Sequence, residues 1–267
     1  PKANHVMPTC RERVFINARL PSGFYFGDFM FDRLISLIGK DNVDNINKVN
    51  VAIIGVGGVG GFALEALVRS GVCNITIFDG DTVDITNLNR QIITDSSNIG
   101  KNKVNVAVKR YKLINPDLNI LGNSFNITED NVDNLNKFDY VIDACDDIKA
   151  KVAMIKYCLC NNIKIVCALG TGKRLSPEGI KLTTLDKTSN DALARNLRQI
   201  LRKAGISLKI PVVYNEDIPL NNDKTISSSI FSPGVAGLYL AYYVINDILK
   251  KVNCQIVCVA QDNYHKR

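Results

Sequence analysis

The sequence predicts an α/β protein built on a doubly wound, mostly parallel sheet, with a smaller extension at its C-terminal end. Three observations carry this. Short apolar runs alternate with segments of helical period from Val49 onward, the first run leads through Gly55, Gly57 and Gly60 into a helix, and the alternation weakens after Gly170. A parallel strand pair needs a crossover to bring the chain back, so alternation at these lengths puts helices on both faces of one sheet.

Residues 1–29 show no clean period and read as an N-terminal extension of unknown role. Val49 to Ile54 is an apolar strand, Gly58 to Ser70 a helix and Cys73 to Phe78 a second strand, which together make a β-α-β unit. Helical periodicity returns from Lys101 to Ile114 and stops at Asn115-Pro116, because the residue before proline is driven out of the helical region. Leu118 to Leu121 and Tyr140 to Ile142 read as strands, Ile148 to Asn161 as a helix and Ile163 to Ala168 as another strand. Beyond Gly170 come strands at Ile180 to Leu185, Val212 to Tyr214 and Cys254 to Val259, with a helix over Asp191 to Ala204. Thr225 to Asn246 carries no charge over a length able to span a bilayer, but Ser232, Pro233 and Gly234 interrupt it. A short strand followed by a helix, buried in the core or at a subunit interface, is therefore favoured over a membrane span. The chain divides into the extension at 1–29, a nucleotide-binding core at 30–170 and a C-terminal part of the same domain at 171–267.

Composition narrows the function. A chain of 267 residues with 46% hydrophobic and 22% charged residues is neither disordered nor fibrous. Its formal charge of +7 favours a polyanionic partner. His5 and His265 are the two histidines and both lie in the terminal tails, which argues against a mechanism built on a core imidazole. The eight cysteines contain no pair of C-x-x-C knuckles, so no zinc is expected. Cys167 and Cys258 fall inside apolar runs and read as small buried hydrophobes in a reducing compartment, and no secretory signal opens the chain, so a cytoplasmic location is expected.

Gly55, Gly57 and Gly60 form G-x-G-x-x-G directly after a strand and at the start of a helix, with Gly58 between them. Glycine lets backbone N–H groups approach phosphate oxygens, and the helix N-terminus adds partial positive charge. Asp79 ends the next strand, where a carboxylate can accept from ribose hydroxyls. Such a Rossmann-like site could take NAD or ATP. Asn87, Asn89, Arg90 and Gln91 follow, and Lys103 comes twelve residues after Gln91. Backbone amides suffice for a pyrophosphate, whereas a triphosphate calls for cations and a metal, so this set fits ATP better. Asp143 and Asp146 close the fourth strand on the same sheet edge, and one of them can hold Mg²⁺.

Gly55-Val-Gly-Gly-Val-Gly60, Asp79-Gly-Asp-Thr-Val-Asp, Asn87-Leu-Asn-Arg-Gln91, Gly100-Lys-Asn-Lys103, Asn115-Pro116 and Asp143-Ala-Cys-Asp146 resemble the adenylating fold shared by ubiquitin-activating enzymes and the bacterial molybdopterin and thiamine-pathway activators. The resemblance implies that the glycine loop and Asp79 hold ATP, that Asn87, Arg90, Gln91 and Lys103 handle its phosphates, and that Asp146 binds Mg²⁺. It also implies a homodimer, since Phe31 to Gly39 is similar to the segment that lends an arginine, here Arg33, to the partner's site.

Downstream, Gly170-Thr-Gly-Lys173, Asp186-Lys-Thr-Ser189, Asp191-Ala-Leu-Ala-Arg195, Val213-Tyr-Asn-Glu216 and Ser228-Ser-Ile-Phe-Ser-Pro233 resemble the tRNA threonylcarbamoyladenosine dehydratase family. Ala192 departs from it, standing where the family often has proline. The implied reaction is ATP-dependent cyclisation of threonylcarbamoyladenosine in tRNA through an acyl-adenylate, with Arg33, Arg90, Lys103 and Asp146 catalytic and a sulfur-relay protein a partner in some members. Lys187 to Lys209 holds six cations against Asp191, a local charge of +5, and Arg195, Arg198, Arg202 and Lys203 are expected to bind tRNA phosphates, with Leu193, Leu197, Ile200, Leu201 and Ala204 facing the core. One competing reading is an activator of the C-terminus of a ubiquitin-like or sulfur-carrier protein, disfavoured by the missing zinc knuckles. The other is an NAD-dependent module, in which the phosphate cations would be idle.

Overall fold

The computed structural model of the chain describes residues 30–221 and 227–264; the extension at 1–29, with His5 and Cys10, and His265 lie outside the described residues. Two short helices, α1 (Asp32–Ile38) and α2 (Lys40–Lys48), lead into β1 (Asn50–Ile54), α3 (Gly60–Arg69) and β2 (Asn74–Phe78). Then follow α4 (Lys103–Ile114), β3 (Asn119–Asn123), β4 (Tyr140–Asp143), α5 (Ile148–Cys160) and β5 (Lys164–Ala168). The chain ends with β6 (Ile180–Thr184), α6 (Ala192–Lys203), β7 (Pro211–Asn215) and the long α7 (Phe231–Tyr264).

One seven-stranded sheet has the order β3-β2-β1-β4-β5-β7-β6, parallel throughout except for β6, which runs antiparallel to β7. Alternate residues of each strand feed two cores. Val51 and Ile53 of β1 join Leu64, Leu67, Tyr111, Leu240 and Val244 on the face covered by α3, α4 and α7. Ala52 and Ile54 join Met154, Ile155, Leu197 and Leu201 on the face covered by α5 and α6. The side-chain period of two makes this split inevitable once β1 is central. Each fully buried Leu or Ile contributes roughly 1.5–3 kcal/mol.

The strand order turns back between β1 and β4. In such a sheet the loops leaving these two strands diverge, which opens a crevice at their carboxyl ends. The loop after β1 carries the glycines and the loop after β4 carries Asp146.

The sequence places Cys254 to Val259 in a strand, and here the structure differs: these residues continue α7, one helix over Phe231–Tyr264. A six-residue apolar run has no internal feature that separates a strand from a buried helical segment, and continuity with the preceding helix decides it. Among the described residues no helix is long and apolar enough to cross a membrane. Ala236, Leu240, Ala241, Val244 and Ile248 are buried, at the i, i+4 spacing of one helix face. The helix comes so close to α3 that a Cβ on Gly237 would stand 2.3 Å from the Val59 carbonyl oxygen. The opposite face leaves Leu238, Tyr239 and Tyr242 exposed.

Candidate functional site

The glycine loop is shaped by contacts that exclude side chains. Gly55 has φ +84°, and a Cβ there would meet the Ala144 carbonyl oxygen at 2.9 Å. A Cβ on Gly60 would stand 1.8 Å from the Gly55 oxygen and 3.2 Å from the Ala144 Cβ. The loops after β1 and β4 therefore pack directly on each other, and the first turn of α3 opens into the crevice. The N–H groups of Gly61 and Ala63 are taken by the Gly57 and Val59 carbonyls, and the end of the turn with its partial positive charge is a place for anionic oxygens.

Asp79, one residue past β2, is buried and turned toward this loop. Its Oδ2 accepts from the Val56 N–H at 2.8 Å and its Oδ1 from the Asp81 N–H at 2.9 Å. Each carboxylate oxygen keeps a second lone pair for another donor.

The segment from Asn87 to Gln91 folds over the glycines. Arg90 lays its aliphatic stem along Gly58, its Cγ standing 3.4 Å from where a Cβ would be, while its Nη1 donates to the Thr86 carbonyl and to Asn89 Oδ1. Gln91 is buried beside Gly57, its Nε2 3.7 Å from the corresponding position. Asn87 is buried in the turn it caps, its Oδ1 accepting from the Asp84 N–H. Asn89 Nδ2 donates to the Ser228 carbonyl at 3.0 Å, and Pro233 Cβ packs 3.5 Å from the Gly58 position, so the segment leading into α7 also borders the crevice.

The two acids after β4 have separate fates. Asp143 is fully buried and pairs with the equally buried Lys151 of α5 at 2.9 Å. Its Oδ1 also accepts from the Cys145 N–H and the Cys145 thiol. Burial works against the charged Lys151, yet Asp143 outweighs it and holds the lysine pKa above its usual value. Burial and then the Asp143 charge push the Cys145 thiol up, so this cysteine is a protonated donor rather than a nucleophile. Asp146, three residues on, is exposed at the crevice and its carboxylate is the one open to a cation. Among the described residues no three acids, cysteines or histidines cluster as a protein-only metal cage. An exposed single carboxylate beside an anion site fits Mg²⁺, which keeps most of its water and takes one or two protein oxygens together with phosphates.

Two further expected cations differ in where they sit: one is paired at the rim of the site and the other lies away from it. Lys103, the first residue of α4, pairs with Asp81 at 2.7 Å. Arg33 is exposed on α1, next to Phe31, whose ring lies 3.7 Å from the position of a Cβ on Gly71, beyond the far end of α3. The glycine loop is at the near end of that ten-residue helix, about 15 Å away at 1.5 Å per residue. Arg33 and the crevice of its own chain thus sit at opposite edges of the sheet.

On α6, Leu197 and Leu201 are buried as expected, with Ala194 beside them, whereas Ala204 is exposed as the residue just past the helix. Arg195, Arg202 and Lys203 are exposed. Arg198 is half-buried, and its Nη1 donates to the Thr188 carbonyl at 3.0 Å and to the Thr188 hydroxyl. Asp191 caps the helix through the Ala194 N–H and with its other oxygen takes the Gly170 N–H at 2.6 Å, tying the end of β5 to α6.

Sequence reasoning missed the roles of Asp81, Lys151 and Asn215. Asn215 ends β7, fully buried, and its Nδ2 joins the Ser176 carbonyl to the Ser232 hydroxyl. Asp81 carried a readable signal, because an Asp two residues before it can accept its N–H and fix the turn that follows β2.

A sequence model of the ThiF family matches residues 31–174. The tRNA threonylcarbamoyladenosine dehydratase of Bacillus subtilis is 34% identical over 247 residues, covering 85% of this chain and 97% of the relative. Among solved structures, Escherichia coli tRNA N6-threonylcarbamoyladenosine dehydratase in complex with ATP superposes with a TM-score of 0.80 at 30% identity, over 85% of this chain and 96% of that one. The same enzyme in complex with AMP gives 0.78 at 30% identity, over 82% and 93%.

Proposed function

The chain belongs to the ThiF family, among its tRNA threonylcarbamoyladenosine dehydratases, and on that premise we propose how its residues cyclise threonylcarbamoyladenosine in tRNA at the cost of ATP. The observation that carries the reading is the meeting of the glycine loop, Asp79, Arg90 and exposed Asp146 at one crevice. ATP lies there with its ribose toward Asp79 and its phosphates on the α3 N-terminus.

The threonyl carboxylate of the modified base attacks the α-phosphorus, and pyrophosphate leaves with the electrons of the broken P–O bond. Asp146 would hold Mg²⁺, which when bound would supply charge neutralisation on the phosphates. Arg90, whose stem lies along Gly58, and Lys103 add cationic donors where negative charge builds up. The acyl-adenylate then closes on itself: the neighbouring carbamoyl group attacks the activated carbonyl and AMP leaves. No enzyme thiol is needed, because an intramolecular nucleophile acts at high effective molarity. The protonated state of Cys145 supports this.

The active form is a homodimer. The exposed apolar stripe of Leu238, Tyr239 and Tyr242 on α7 supports it, as does the position of Arg33 on α1, away from the crevice of its own chain. Exposed Arg195, Arg202 and Lys203 on α6 contact tRNA phosphates. Cys145, Cys158, Cys160 and Cys167 are thiols outside any disulfide, which supports a reducing, cytoplasmic setting.

Mass analysis of tRNA nucleosides after incubation with Mg-ATP tests the reading. Loss of one water from threonylcarbamoyladenosine with release of AMP is expected. Unchanged nucleosides, with ATP instead consumed to adenylate the C-terminus of a carrier protein, would replace it with the carrier-activating reading.

A further inference from the structure

Lys103 opens α4 with its side chain only 7% exposed, and its partner Asp81 is 64% exposed. An ammonium with so little water around it needs a counter-charge. ATP would supply one when bound, yet the protein already provides its own. The pairing is built into the backbone: the Lys103 N–H donates to the Asp81 carbonyl at 3.0 Å, and Thr82 bridges Asn102 beside it. Asp81 in turn donates its N–H to Asp79, which holds Val56 of the glycine loop. A continuous set of bonds therefore runs from the loop, through the ribose-side acid, to the lysine.

We propose that Asp81 is a positioning residue: it holds the Lys103 ammonium beside the phosphate site in the nucleotide-free enzyme and competes with the phosphates of ATP for it. This deepens the adenylation reading and rests on it. The two partners differ in mobility. Lys103 is enclosed and cannot leave, whereas Asp81 faces water and can rotate into it, so the carboxylate is the group that yields. Binding of a triphosphate then includes breaking the pair, a step that a phosphate-free ligand does not require. Asp81 thereby keeps Lys103 oriented between turnovers while weakening ATP binding by the strength of one ion pair whose carboxylate faces water.

Calorimetric titration of the full chain with Mg-ATP, metal-free ATP and adenosine separates the outcomes. Asp81→Asn should tighten Mg-ATP and metal-free ATP alike by about two- to fivefold, the range of an ion pair with one partner in water, and leave adenosine unchanged. Asp81→Glu, which keeps the charge, should bind like wild type. In a Lys103→Met background the gain from Asp81→Asn should vanish. An unchanged or weaker ATP affinity in Asp81→Asn overturns the proposal, as does a gain that survives in Lys103→Met, which would reflect general charge alone. Weakening of Mg-ATP but not of metal-free ATP also overturns it, making Asp81 a metal ligand. Wild type that fails to bind ATP would sink the adenylation reading itself, whereas wild type that binds ATP with no response to Asp81→Asn sinks only this inference.

Discussion

Replacing Gly60 by alanine tests the loop architecture most directly. The added Cβ would sit 1.8 Å from the Gly55 carbonyl oxygen, 2.9 Å from the Gly55 carbonyl carbon and 3.2 Å from the Ala144 Cβ. Cβ contacts under 3.0 Å essentially do not occur, so the loop must open by at least 3.0 − 1.8 = 1.2 Å. Two backbones and the start of a helix resist this. Overpacking of this kind costs about 1–3 kcal/mol, which at roughly 2–4 °C per kcal/mol for a domain of this size lowers Tm by roughly 2–12 °C. A displacement near 1 Å at a phosphate cradle costs about 10²-fold in turnover. Gly57→Ala is the matched comparison, since its Cβ meets nothing nearer than Gln91 Nε2 at 3.7 Å and should leave Tm unchanged. Thermal unfolding with and without Mg-ATP, alongside AMP release in the presence of tRNA, reads both effects. If Gly60→Ala melts like wild type and gains the same stabilisation from Mg-ATP, the close packing of the two loops is not what shapes the site.

Asp146→Ala should abolish AMP formation while the melting temperature stays within about 1 °C of wild type, as befits an exposed side chain; near-normal turnover would remove it from the metal site. Asp143→Ala should behave differently, since it strands the buried Lys151 and costs about 3–5 kcal/mol, visible as a shifted urea midpoint. Arg33→Ala and Asp146→Ala, each inactive alone, should regain part of their activity when co-assembled, because one of the two sites in the mixed dimer is complete; verified heterodimers without activity would deny a shared site. Replacing Arg195, Arg202 and Lys203 together by alanine should weaken tRNA binding and flatten its log–log salt slope by about three units, with ATP affinity unchanged, and normal binding at low and moderate salt would move the tRNA surface elsewhere. Arg198→Ala should instead lower stability by about 1–2 kcal/mol, because its guanidinium holds Thr188.

How much was legible in advance follows the range of each interaction. The sheet and its crossovers could be read because strand and helix periods are local, and Gly55, Gly57 and Gly60 stand where a strand must turn into a helix. The Asn115-Pro116 stop was legible for the same reason, acting within a few residues of itself, whereas Asp191, read as part of the helix, proves to be its cap. The terminal apolar run Cys254 to Val259 was misread because six residues fit both periods, and only its continuity with a helix starting at Phe231 settles the matter.

For polar residues, type and place along the chain named the candidates, but partners did not follow. Asp143 and Asp146 look equivalent in Asp143-Ala-Cys-Asp146, and it is the arrival of α5 with Lys151 that sinks one into the core and leaves the other at the crevice. Lys103 and Asp81 are 22 residues apart, and Arg198 finds Thr188 only because α6 folds back over the turn before it. Arg33 could be recognised by type, yet its distance from its own crevice exists only once α1 is seen beyond the far end of α3. Periodicity and turn chemistry act through bonds and near neighbours, so one strand of letters encodes them. The charge state and availability of a side chain depend on which element packs against it, and that is decided by the tertiary structure alone.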